Sequence, residues 1–242
     1  MVAEGLGVRR RPTFAVAVEH RHGTSRFAVG GLSELEVLSE VFLHGTYELE
    51  LATAPATVID AGANIGASMH AVNVANVLRR RALPDVDFRD PAQVAAGLNA
   101  MFPMEEHNGL MMTLWYFVHR VSERRLRFCA AGHHAGFLVP PGAEPAPLWR
   151  RGPALGMLPA GVWAAGEAEV PPDSRLYVFS DGAFEIVGPD GRDWSLEDLR
   201  RVLAAPERPG VPETQRVYQA VRAAARPGPL PDDVTLLLLR FA

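Results

Sequence analysis

The sequence predicts an α+β fold built on antiparallel strands. Apolar runs rich in β-branched and aromatic residues follow one another through the middle of the chain, as in GLMMTLWYFVHRVSERRLRFCAAGHHAGFLVP, with only short polar breaks. Stretches with helical spacing stand apart from these runs, before them and after them. Strands grouped together with helices set aside from them fit α+β and not the regular strand–helix alternation of a doubly wound sheet.

Taken in order, TFAVAVEH and RFAVGG read as one or two short strands after an arginine-rich start. LSELEVLSEVFL places Leu32, Leu35, Leu38 and Val41 on one face and glutamates on the other, with Ser33 as N-cap, which is a short amphipathic helix. Thr57 to Ile59 is a β-branched strand ending at Asp60, and Gly62 and Gly66 loosen the turn into a helix over residues 67–80. Asp90 and Pro91 open a helix running to Met101, a cap followed by proline in the first turn. An antiparallel meander follows: Met112 to Val121, a polar turn over residues 122–125, Leu126 to Ala131, and Gly136 to Val139. Ala164 to Val170 and Arg175 to Phe179 read as a further strand pair with PPDS as the turn. Residues 195–203 and 213–225 are expected as helices, and Val234 to Phe241 as a closing strand after GPLPDD.

A chain of 242 residues is long enough for one large domain or two small ones, and 48% hydrophobic with 21% charged residues is ordinary for a soluble protein. The net charge of −4 and the dispersal of arginine into short runs set nucleic-acid binding aside. The single cysteine, Cys129, excludes an internal disulfide and reads as a buried structural thiol, consistent with a reducing cytoplasm. No apolar run approaches the roughly 20 residues a membrane helix needs, and no signal-peptide pattern follows the N-terminal arginines. A soluble cytoplasmic protein with no membrane partner is expected.

Apolar runs repeatedly deliver an aspartate at a strand end. Asp60 follows TVI, Asp181 follows LYVFS and precedes Gly182, and Asp232 with Asp233 precedes VTLLLL. Any one of these is a common turn residue. Carboxylates at the ends of neighbouring strands, however, converge on one point, and such hard oxygen ligands suit Mg²⁺ or Mn²⁺.

The turn AAGH (Ala130 to His133), FSDG (Phe179 to Gly182) and PDDVTLLLLR (Pro231 to Arg240), in this order and spacing, resemble the SpoIIE family of bacterial metal-dependent serine phosphatases, relatives of the type 2C protein phosphatases. The resemblance runs from about Ser68 to the C-terminus. It implies a sandwich of antiparallel sheets flanked by helices, with a two-metal Mn²⁺ or Mg²⁺ site. Asp60, Asp181 and Asp232 would be the metal ligands, with Asp233, Gly132, His133 and Gly182 in outer-shell or structural roles. It implies as partner a phosphorylated regulatory protein of bacterial signalling, of the anti-sigma antagonist type. The family's upstream Gly-Asp-x-x-Asp and Gly-Asp-x-Ser-Gly-His-Gly elements are not intact here: GGLSELEVLSE, with Glu34 and Glu36, and IDAGAN stand in their places. A site deprived of its bridging carboxylate is expected to bind metal weakly and turn over slowly.

LSEVFLHGTYELEL followed by PATVIDAGANIGAS resembles the opening of an FkbM-type methyltransferase. That resemblance covers about residues 26–68 and implies S-adenosylmethionine held at Asp60, Gly62 and Gly66. Phe88 and Asp90 mimic the acidic end of a second nucleotide-binding strand, but no apolar strand precedes them. The simplest organisation is a chimera, a methyltransferase-like segment over residues 1–67 joined to a phosphatase-like domain over 68–242. Three functions follow: a metal-dependent phosphatase, an S-adenosylmethionine-dependent methyltransferase, and a pseudophosphatase that binds a partner without turnover.

Overall fold

A computed structural model describes residues 14–20, 23–29, 73–107, 109–232 and 234–241. The chain divides into two compact units, Met1–Leu49 and Glu50–Ala242. In the first, β1 (Phe14–His20) and β2 (Gly23–Val29) pair antiparallel from Phe14↔Val29 to His20↔Gly23, as the two short apolar runs predict. The expected helix Leu32 to Leu43 and the strand and turn of TVIDAGANIGAS lie outside the described residues.

The second unit begins with helix α1 (residues 73–79), on which Val74 and Leu78, four apart, are buried. Helix α2 (Pro91–Met101) starts where the cap and proline place it: the Asp90 carboxylate accepts from the Ala92 N–H at 3.0 Å. Next come β3 (Leu114–Arg120), β4 (Arg125–Ala131), β5 (Gly136–Val139), β6 (Ala146–Leu148), β7 (Gly166–Glu169) and β8 (Arg175–Phe179). Helices α3 (Leu196–Ala204) and α4 (Glu213–Ala224) and strand β9 (Leu236–Arg240) complete the unit. Ser195 and Asp198 cap α3 reciprocally, each side chain taking the other's backbone N–H.

Two sheets result, ordered β3-β4-β7 and β6-β5-β8-β9, with every described pair antiparallel. The period-two alternation of each strand assigns its side chains to layers. On β3, Leu114, Tyr116 and Val118 pack with α1 and α2, while Trp115 and Phe117 face the second sheet. On β8, Leu176 and Val178 enter the same inter-sheet layer, while Tyr177 and Phe179 face α3 and α4. The unit is therefore a helix–sheet–sheet–helix sandwich. Central strands covered on both faces explain why LWYFV and LYVF read as unbroken apolar runs.

Two sequence expectations about pairing are corrected. The expected meander does not continue past β4: β5 belongs to the other sheet, beside β8. The chain turns out of the first sheet at Gly132, whose φ is +63° and whose Cβ position is blocked by the Ala154 backbone at 2.7 Å. Likewise β7 and β8 do not form a hairpin. The segment PPDS is a corner between sheets, with Asp173 at φ 59° and the Ser174 hydroxyl donating to the Pro171 carbonyl at 2.6 Å. In both places a short break is compatible with a hairpin, but burying Leu126, Phe128, Leu176 and Val178 against one another requires the strands to lie in opposite sheets.

One end of the second sheet is closed by ion pairs. Glu213 and Arg216 are 4% and 5% exposed and pair at 2.5 Å, and the Tyr177 hydroxyl donates to Glu213 at 2.8 Å. Burial and the Glu213 carboxylate push the Tyr177 phenol well above its ordinary value. Glu207 bridges Arg175 at 3.1 Å and Arg240 at 2.8 Å across the ends of β8 and β9. Among the described residues no helix is long and apolar enough to cross a membrane.

Candidate metal centre

The opposite end of the second sheet gathers the three sequence motifs. Strand β8 runs between β5 and β9, antiparallel to both. Its C-terminal end therefore meets the start of β5, reached through the AAGHH turn, and the start of β9, reached through PDDVT. The pairs Phe137↔Tyr177 and Phe179↔Leu236 set that alignment. Beyond the last ladder pair the Ser180 N–H donates to the Thr235 carbonyl at 3.0 Å, and the Thr235 N–H donates to Ser180 Oγ at 2.8 Å. Ser180 thus clamps the two strand ends together, with Asp181 immediately after it and Asp232 three residues before Thr235.

Asp181 opens a single 3₁₀ turn, Asp181–Ala183, in which its Oδ1 accepts from the Gly182 N–H at 3.0 Å. Gly182 and Ala183 are buried beneath it, while the Asp181 and Asp232 residues are exposed. On the β5 side the His134 ring stacks on Phe179 at 4.8 Å and meets Phe184 edge-on at 5.0 Å. His133 is buried, its Nδ1 is 3.0 Å from the His134 carbonyl oxygen, and its own carbonyl accepts from Trp149 Nε1 at 3.0 Å. The turn histidines are thus packed and hydrogen-bonded parts of the edge.

Of the residues read from the sequence as site candidates, Asp181, Asp232, Gly132, His133 and Gly182 come to this one edge. Asp60, Asp233, Gly62 and Gly66 lie outside the described residues. Among the described residues no group of three or more His, Cys, Asp and Glu side chains is arranged to hold a metal ion. The carboxylates present are of the hard-oxygen type that Mg²⁺ and Mn²⁺ take, and those ions fill the rest of their coordination with water. Asp90 has a different role: it caps α2 and lies 3.5 Å from Arg127. Cys129 is buried, and desolvation pushes its thiol up to about 12, so it stays protonated. Sequence reading missed the clamp made by Ser180. Its signal was its place between an apolar strand and the acidic turn.

The model of the family described as Stage II sporulation protein E (SpoIIE) matches residues 60–242. The chain belongs to the SpoIIE family. The SpoIIE match begins at Asp60, and so takes in the aspartate used by both resemblances. Solved structures share the fold at low identity. The SiaA-PP2C domain of Pseudomonas aeruginosa is 19% identical, with 80% of this chain and 78% of that one covered and a TM-score of 0.66. The PP2C phosphatase domain of SpoIIE from Bacillus subtilis, with a fragment of its regulatory domain, is 13% identical over 97% of this chain and 72% of that one, with a TM-score of 0.63. RsbX in complex with magnesium is 15% identical over 77% and 80%, with a TM-score of 0.55. A comparison with curated proteins finds no match. The described sandwich is thus a SpoIIE-type phosphatase domain of the PP2C fold.

Proposed function

We propose that the chain hydrolyses phosphoserine on a regulatory protein of bacterial signalling, with slow turnover, using a divalent cation held by Asp181, Asp232 and Asp60. The observation that carries this reading is the Ser180–Thr235 clamp, which brings the FSDG and PDDVT carboxylates to one sheet end. A bound Mg²⁺ or Mn²⁺ would supply charge neutralisation on the phosphoryl oxygens and activation of the attacking water. Asp181 and Asp232, exposed at the clamped strand ends, would hold that ion. Water adds to phosphorus, the bond between phosphorus and the serine oxygen breaks, and the serine oxygen leaves with a proton from the attacking water. Magnesium in the RsbX structure supports the choice of ion. Slow turnover follows from the absence of intact Gly-Asp-x-x-Asp and Gly-Asp-x-Ser-Gly-His-Gly elements.

By family resemblance the substrate is a phosphorylated anti-sigma antagonist. The antiparallel pairing of all described strands favours this chemistry over the methyltransferase alternative, whose nucleotide site needs a parallel sheet. The test is a Mn²⁺ titration of the full chain. Added Mn²⁺ is expected to raise Tm and to drive p-nitrophenyl phosphate hydrolysis, with both effects lost in Asp181→Asn. If Mn²⁺ raises Tm without hydrolysis, the pseudophosphatase reading replaces this one. If it changes neither, metal binding itself is refuted.

A further inference from the structure

Beside the carboxylate edge the surface sinks into a groove of about 720 Å³, walled by the Gly132–His134 turn, Trp149, Arg151 and Leu196 at the start of α3. The groove shares His133 and His134 with that edge, and the His134 ring packs on Phe179, two residues before Asp181. The strip bearing Trp149 and Arg151 is held in place by backbone. Gly132 N–H donates to the Gly152 carbonyl at 3.0 Å, and Trp149 Nε1 is tied to the His133 carbonyl. The indole is thereby immobilised while remaining 46% exposed, an apolar platform on the groove wall.

The electrostatic character of the groove differs from that of the chain. None of its nine lining residues is acidic, on a protein of net charge −4. Arg151 is exposed and, among the described residues, makes neither a hydrogen bond nor an ion pair. A planar guanidinium left unengaged beside a fixed indole suits a carboxylate-bearing segment that also carries an apolar side chain.

We infer that the groove seats the polypeptide flanking the phosphoserine and selects acidic flanks through Arg151, with an apolar substrate residue laid against Trp149. This rests on the phosphatase reading, in which the phosphate goes to the carboxylate edge and the flanking chain runs into the groove. The charge complementarity points to an acidic protein segment and not to a basic one.

The test measures binding, so that it does not depend on turnover. Fluorescein-labelled peptides carrying a non-hydrolysable phosphonate analogue of phosphoserine, one with glutamates and one with glutamines on both sides, are titrated by anisotropy into the full wild-type chain, with Mn²⁺ present. The glutamate peptide is expected to bind about fivefold more tightly, the upper end for an exposed ion pair. Arg151→Gln brings the ratio to about one, and Arg151→Lys retains part of it. A merely structural role for Arg151 would lower both affinities and leave the ratio unchanged. Equal affinities in the parent protein, no binding of either peptide, or a ratio that survives Arg151→Gln overturns the proposal. Failure of the wild-type chain to hydrolyse p-nitrophenyl phosphate, with the binding ratio intact, counts against the phosphatase reading alone.

Discussion

The two ends of the second sheet treat carboxylates in opposite ways. At the Arg175 end, Glu213 is buried and pairs with Arg216 while accepting from Tyr177, and Glu207 is gripped by Arg175 and Arg240. At the Ser180 end, Asp181 is exposed and has no arginine partner among the described residues. The same strand, β8, connects the two ends. A carboxylate already neutralised by a guanidinium is a poor ligand for an added cation, whereas an exposed one on a clamped turn remains free to take one. One end therefore contributes stability, and the other keeps an exposed carboxylate for the cation proposed above.

Substitutions at the two ends should separate these roles. The largest effect on folding is expected for Glu213→Ala, which strands the Arg216 charge and removes the Tyr177 acceptor. Breaking a buried pair in this way should cost about 3–5 kcal/mol in urea unfolding. Next is Asp181→Asn at the other end, which should abolish Mn²⁺-driven hydrolysis by about 100-fold or more, on the order of 2.7 kcal/mol in the barrier, while the urea midpoint without metal stays near wild type. If Asp181→Asn destabilises the metal-free protein as much as Glu213→Ala does, the division of labour fails.

Ser180→Ala should fall between the roles. Loss of the acceptor for the Thr235 N–H should cost about 1 kcal/mol and weaken Mn²⁺ binding measured by calorimetry, because only the backbone bond from the Ser180 N–H still ties the two strand ends. A smaller effect is expected at the α3 cap, away from both ends. The Ser195 hydroxyl, the Ser195 N–H and Arg192 hold Asp198 down to about 2. Since its folded value lies below the unfolded one of about 3.9, the contribution is present above about pH 4 and is lost as pH falls toward 2. Ser195→Ala removes the N-cap acceptor of α3, a loss of about 1 kcal/mol at neutral pH, and the gap to wild type should narrow in acid unfolding curves below about pH 3.

Much of this was readable in one dimension. Helices α2 and α3 begin at the capping residues Asp90 and Ser195, because a cap is a local contact between residues two or three apart. Strand β5 matches its apolar run Gly136–Val139 residue for residue. Partner choice was not readable in this way. A hairpin and an inter-sheet corner both need only a short polar break, and PPDS served the second. Nor was the groove, since Trp149 and Arg151 are brought to His133 by the Gly132–Gly152 contact between residues far apart in sequence. The burial of His133 was equally hidden, because nothing within a Gly-His-His turn says which distant residues will cover it.

By itself the sequence determined the class of the fold, the starts of the capped helices, the positions of the apolar strands and the motifs that carry membership of the SpoIIE family. These depend on contacts within a few residues or on side-chain alternation along one strand. Only the tertiary structure decided that β4 and β5, and β7 and β8, part into opposite sheets, and that Asp181 and Asp232 arrive at one edge while Glu207 and Glu213 close the other. Those outcomes depend on which apolar faces bury one another across the sandwich, a long-range condition that no local pattern contains.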